Sequence, residues 1–198
     1  MSHVTLLPDS ATRHLMLEEL QLDLLRDELW LSSRLSPRGR ALWSRLFALA
    51  IEEGDAHTLA RSLSREGRML AIEGRRTRHG HKTVWVPRTA EQTLAWGEFN
   101  RFFIRATCRR AIQLRLPFVV VHRGRPSRNP RPESEALLGL RLCPTDLLEE
   151  VRKAPGSGAS FPPGPNSGLS IRLPLARELR PCHVPSAGVR WTEPPRAA

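Results

Sequence analysis

Arginine is the residue type with the most chemistry to offer in this sequence. The chain carries 31 Lys and Arg against 20 Asp and Glu, a formal net charge of +11, and its only lysines are Lys82 and Lys153. A guanidinium is planar, permanently charged and forked, so it grips phosphate or carboxylate through two donors at once. The surplus lies in two blocks. Residues 61–88 hold eight bases and two acids, and residues 101–131 hold nine Arg and no acid. Elsewhere the charge nearly balances, at −3 for residues 1–60, −2 for 89–100 and +1 for 132–198. Like charge gathered this densely repels itself unless it faces solvent or meets anions. The candidates for a polyanion contact in the first block are Arg61, Arg65, Arg75, Arg76, Arg78 and Lys82. In the second they are Arg101, Arg105, Arg109, Arg123 and Arg125.

Arg101, Arg105 and Arg109 recur every fourth residue, which lines them along one helix face, and Arg110 and Arg115 widen the stripe. Like charges at this spacing repel by roughly 0.2–0.5 kcal/mol per pair. Only Glu98 is placed to relieve the first of them. A phosphate track would satisfy the stripe, and so would the carboxylates Glu19, Asp23 and Asp27 near the N-terminus. The tetrapeptide Arg123-Gly124-Arg125-Pro126, with Arg128 and Arg131 beyond it, resembles the core of an AT-hook. That resemblance implies an extended segment lying in the minor groove of A·T-rich DNA, with glycine allowing close backbone approach. Here the segment directly follows an apolar run, and a chain rich in Arg and Pro yields such a tetrapeptide by chance.

Other chemistries find little support. His79-Gly80-His81 and the distant Cys182-His183 offer imidazole and thiol groups, but no carboxylate pair accompanies them, so no metal and no cofactor is expected. The elbow G-x-S-x-G, the phosphate loop G-x-x-x-x-G-K-[ST] and the helix motif H-E-x-x-H are all missing. Glu133 and Glu135 around Ser134 read as loop charge, and residues 164–168 as a plain turn. A non-enzymatic protein is therefore expected. Cys108, Cys143 and Cys182 are too few and too scattered for a disulfide framework, which fits a reducing compartment. No cationic stretch precedes an apolar core at the N-terminus, and the apolar runs 46–51 and 118–121 are too short to span a bilayer. A cytoplasmic protein with no membrane partner is expected.

The elements that must position these arginines are mostly helical. Leu17, Leu20 and Leu24, with Leu22, Leu25 and Leu29, predict a first helix over residues 12–33. Ser36 as N-cap and Pro37 at the first helical position open a second, with Leu42, Leu46, Leu49 and Ala50 as its apolar stripe. Gly54 is expected to end it in the left-handed conformation. Asp55 caps a short third helix carrying Leu59, Ala60 and Leu63, which Gly67 closes. Residues 69–73 and 82–86 read as the strands of a hairpin linked by the basic loop 74–81. Thr89 and Gln92 stand in capping-box register and open the longest helix, residues 90–116. Its expected apolar face is Leu94, Ala95, Phe99, Phe102, Phe103, Ala106, Ala111 and Ile112. Short strands at 118–122, 137–142 and 169–173 and a helix at 146–153, capped by Thr145, complete the pattern.

The fold class is thus α+β: a helix-rich N-terminal half with a basic β-hairpin, then a long helix and a few short strands. The organisation reads as a lead-in at 1–9, a helical region with hairpin at 10–88, the long helix with strands and loops at 89–173, and a proline-rich, mostly unpacked tail at 174–198. The order helix, helix, tight turn, short helix, hairpin over residues 12–88 resembles a winged helix-turn-helix. The resemblance implies a third helix in the major groove and a hairpin tip on phosphates. It departs from that pattern in the length of the second helix and in a third helix offering only Arg61 and Arg65 as long polar side chains. The expected partner is nucleic acid, DNA above all. The alternative is a structural or adaptor protein whose basic groups meet an acidic protein.

Overall fold

Three side-chain oxygens set where the first three helices begin. Asp9 caps α1 (Ser10–Leu25), Ser36 caps α2 (Pro37–Glu53) and Asp55 caps α3 (Ala56–Leu63), each accepting from the backbone N–H three residues on. The Asp9 carboxyl is held at about 2, because hydrogen bonds from Thr12 and the charge of Arg110 outweigh the upward push of its burial. In the computed structural model, residues 7–78, 80–126, 129–153, 161–164 and 167–179 are described. Along them follow β1 (Ile72–Thr77), β2 (Gly80–Trp85), α4 (Ala90–Gln113), β3 (Val119–Arg123), α5 (Pro132–Ala136), β4 (Arg141–Leu142), α6 (Pro144–Lys153) and β5 (Leu169–Arg172). The fold is α+β, with several N-terminal helices, one long helix and two small antiparallel sheets.

The first helix stops eight residues short of the expected 33. Asp27 takes a left-handed φ of 54°, Asp27 N–H donates to Leu24 C=O and Glu28 N–H donates to Asp23 C=O. That is a Schellman motif, built on an aspartate rather than a glycine. The buried face of α1 also differs. Leu15, Met16, Glu19, Leu20 and Asp23 point inward, while Leu24 and Leu25 are exposed. In α2 the face is turned toward the aromatic rings. Trp43, Phe47, Ala50 and Ile51 are buried and Leu49 is exposed. Trp43 stacks on Phe47 at 5.4 Å, and Phe47 meets Phe102 edge-on at 4.8 Å.

Gly54 ends α2 with φ −127°, outside the left-handed region. Its lack of a side chain serves space instead, since a Cβ there would lie 2.8 Å from the Cβ of Thr58. The hairpin is longer and tighter than expected. β1 and β2 pair from Ile72↔Trp85 to Thr77↔Gly80, so Arg75 and Arg76 sit in a strand rather than in a loop. Below it, Leu35 bridges Met69, with Leu70 N–H donating to Arg34 C=O and Ser36 N–H to Arg68 C=O. This short ladder ties the hairpin base to the α1–α2 connection.

The long helix α4 starts where expected, yet Thr89 makes no side-chain cap bond. Instead Ala90 N–H donates to Pro87 C=O, a turn that enters the helix from the backbone. α4 is buried nearly all round, because it walls two hydrophobic clusters. Its Leu94, Phe99 and Phe102 join α1–α3 in the first. Its Ile104, Cys108 and Ala111 join Val119, Val121, Leu147, Val151 and Ile171 in the second. The three-stranded sheet has the order β4-β3-β5. Residues 132–136 form the short helix α5 where a loop was expected, and of the expected strand Arg141–Leu142 forms β4, with Gly139 and Leu140 hydrogen-bonded to Val121 beside it. The last helix opens at Pro144, ahead of Thr145. Residues 174–179 are held rather than loose, because Glu178 accepts from Arg172 and from Leu175 N–H. The rest of the expected tail, 180–198, lies outside the described residues, as do 1–6 of the lead-in.

Gly39, on the first turns of α2, faces the loop that leads to the hairpin. A Cβ there would lie 2.0 Å from the carbonyl oxygen of Arg68. Helix propensity alone favours alanine by about 1 kcal/mol. We expect the reverse: Gly39→Ala should lower stability by about 1–3 kcal/mol through overpacking. Urea unfolding measures it, and a gain in stability would show that the loop does not press on α2.

Candidate nucleic-acid interface

The arginines expected to form a stripe on the long helix are turned inward. Arg105 is 2% exposed and lies between two acids of α1. Its Nη atoms donate to both oxygens of Asp23 at 2.7 and 2.6 Å, and its Nε donates to Glu19 at 2.7 Å. Glu19, fully buried, also accepts from Arg152 of α6, with Nε at 3.0 Å. Arg109 donates to Glu18 at 2.6 Å. Three guanidiniums thus meet three carboxylates, from three helices. Arg101 is buried as well and pairs with Glu98 of its own helix at 2.7 Å. Arg101 and Arg105 both lie over the Phe102 ring, at 4.7 and 4.6 Å. Asp27 takes no part in the network. Arg101 and Arg105 therefore cannot reach a phosphate, and Arg109 is engaged by α1.

Arg123-Gly124-Arg125-Pro126 is pinned to the fold, with Arg123 the last residue of β3. Arg123 pairs with Glu135 and donates to Ser167 C=O, and the N–H groups of Gly124 and Arg125 both donate to Gly168 C=O. The Arg125 guanidinium rests over Trp96 at 5.2 Å, and burial lowers its pKa. An AT-hook needs a free segment, so Arg123 and Arg125 leave the candidate set too. Arg128 lies outside the described residues.

The first basic block is different. Arg61 and Arg65 on and just after α3, Arg75 and Arg76 on β1, Arg78 at the turn and Lys82 on β2 are all exposed. None of these six forms a salt bridge among the described residues. A salt bridge joins the hairpin's acid, Glu73, to Arg34, with Nε at 2.5 Å and Nη2 at 2.8 Å. That pair fixes the hairpin base, and the Arg34 hydrogen bond keeps the Glu73 carboxyl below its ordinary value. Arg75 opposes Lys82 and Arg76 opposes His81 across the strands. On α3, the buried residues Ala56, Leu59, Ala60 and Leu63 leave His57, Arg61 and Ser64 facing outward. These three border a cleft of about 170 Å³ against Glu91 and Gln92 at the start of α4.

Sequence reasoning missed Arg34, Glu73 and Arg152, whose partners are distant in the chain, and Trp85, which is a single exposed ring. Among the described residues no group of three His, Cys, Asp or Glu could hold a metal, and no helix is long and apolar enough to cross a membrane. His79, Cys182 and His183 lie outside those residues. Burial pushes the Cys108 thiol up to about 12, which leaves it unreactive. No family model, curated protein or solved structure matches the chain, so the site is read from its own chemistry.

Two outcomes follow from the buried network. Arg105→Met should cost about 3–5 kcal/mol in urea unfolding, because it strands two buried carboxylates. The second concerns acid. Burial alone raises the Glu19 pKa, but the hydrogen bond from Arg152 and the charges of Arg105 and Arg152 outweigh it, and the net shift is downward from 4.5. A lowered pKa means the unfolded chain binds the proton more readily. Its stabilisation is therefore whole above pH 4.5 and is lost as the pH falls below that value. Stability measured against pH should drop on this limb, and Glu19→Gln should flatten it. An unchanged limb in the variant would place the titrating group elsewhere.

Proposed function

We propose that the protein binds nucleic acid, duplex DNA in the first instance, without catalysing a reaction. In this reading the surface is the hairpin together with the outward face of α3, working as a winged helix-turn-helix. One observation carries it. Glu18, Glu19, Asp23 and Glu98 are committed to the arginines of α4, while the six candidate cations of the first block stay exposed and form no salt bridge among the described residues. Unpaired guanidiniums on a narrow ribbon suit a phosphate backbone, which they contact without reading sequence. The ladder between residues 34–36 and 68–70, together with Arg34–Glu73, holds the hairpin rigidly to the helical unit. A rigid wing contacts DNA in a fixed register with the neighbouring helix.

Binding of this kind releases counterions, so affinity falls with salt at a log–log slope of about −0.9 per phosphate contacted. Six contacts would give a slope of about −5. Arg76→Ala and Arg78→Ala should each weaken duplex binding across sequences and reduce the slope by about 1. Arg115 is the control, because it lies past the far end of the 24-residue α4, roughly 36 Å from its start. Arg115→Ala should leave binding unchanged. Fluorescence anisotropy at several ionic strengths reads all three. Absence of binding at low salt, or equal effects of Arg76→Ala and Arg115→Ala, would overturn the proposal.

A further inference from the structure

The two faces of the hairpin differ. Side chains alternate along a strand and cross-strand partners share a face, so Ile72, Arg76, His81, Thr83 and Trp85 lie on one side and Glu73, Arg75, Lys82 and Val84 on the other. Glu73 is bound by Arg34 from the α1–α2 connection, so its face is turned to the helical body. The Trp85 face is turned away. Trp85 is 78% exposed and its cross-strand partner Ile72 is 50% exposed. Trp43 and Trp96 each pack against another ring, and Trp30 packs on the first cluster. Trp85 has no ring or cation contact among the described residues.

A large indole held open on a rigid ribbon, beside cations without ion pairs, matches how single strands are bound. Bases stack on aromatic side chains while basic groups track the backbone. We propose that Trp85 is a stacking platform for an unpaired base, with Ile72 as its apolar border and Arg76 and Arg78 on the adjoining phosphates. The ligand class is then duplex nucleic acid with a single-stranded extension. This rests on the function proposed above and narrows it. Charge argues against self-association through the same face. A two-fold dimer sets a patch against its own copy, which would press together two ribbons that carry the same cations.

The full-length protein tests this with two DNA probes, a blunt duplex and the same duplex carrying a single-stranded tail. Wild type should bind the tailed probe about ten-fold more tightly. Trp85→Ala should erase that preference and leave blunt-duplex affinity unchanged, while Trp85→Phe should keep most of it. Trp85 is exposed, so both variants should fold, and circular dichroism checks that they do. If wild type binds both probes equally, or Trp85→Ala keeps the preference, the stacking platform fails while duplex binding stands. If neither probe binds, both readings fail together. A Trp85→Ala variant that instead turns a sedimenting dimer into a monomer would assign the face to a second copy and overturn the proposal.

Discussion

A guanidinium held in a dry interface decides how this molecule is put together. Arg105 leaves water entirely, and desolvating it together with Glu19 and Asp23 costs several kcal/mol per ion. Only near-ideal geometry offsets that cost. The geometry is here: a two-pronged contact to Asp23, a third donor to Glu19 and a second guanidinium, Arg152, completing the Glu19 carboxylate. Because each partner is needed to satisfy the others, α1, α4 and α6 are locked in one relative register. Apolar packing alone tolerates sliding. The same contact joins the first hydrophobic cluster, which holds α1, to the second, which holds α6.

This arrangement divides the molecule's positive charge into two populations. The arginines of α4 are structural, each matched by a carboxylate of α1, of its N-cap Asp9 or of α4 itself. Those of the hairpin have no such match among the described residues, since the only acid on their strands is taken by Arg34. Net charge by segment described both blocks in the same terms, yet Arg101 and Arg105 of the second are buried while the six candidates of the first are on the surface. The excess of bases over acids is thus a property of the surface, and the functional reading follows from which carboxylates are already occupied.

What the sequence made legible was local. Ser36–Pro37, Asp55 and the two-residue Gly54–Asp55 connection specify their helix ends within a few residues, and the structure has them where they were expected. The hairpin was visible in its β-branched runs, although its loop was overestimated because Gly74, Arg75 and Arg76 carry no strand propensity and pair nonetheless. Long-range facts were not legible. The leucine periodicity of α1 points to Leu17 and Leu24, whereas the helix turns Glu19 and Asp23 inward, toward a residue more than 80 positions away. In α2 ring volume, not leucine spacing, chose the buried face. The Arg-Gly-Arg-Pro segment reads as a hook until Trp96 and Gly168, from other parts of the chain, pin it to the fold.

The sequence distance inside the Arg105 contact has a consequence for synthesis. Glu19 and Asp23 leave the ribosome 86 and 82 residues before the cation that neutralises them. Until α4 has emerged, those acids lack the guanidinium that neutralises them in the folded chain. The contact that neutralises the two acids is therefore non-local, the kind whose loop closure must be met before it stabilises anything.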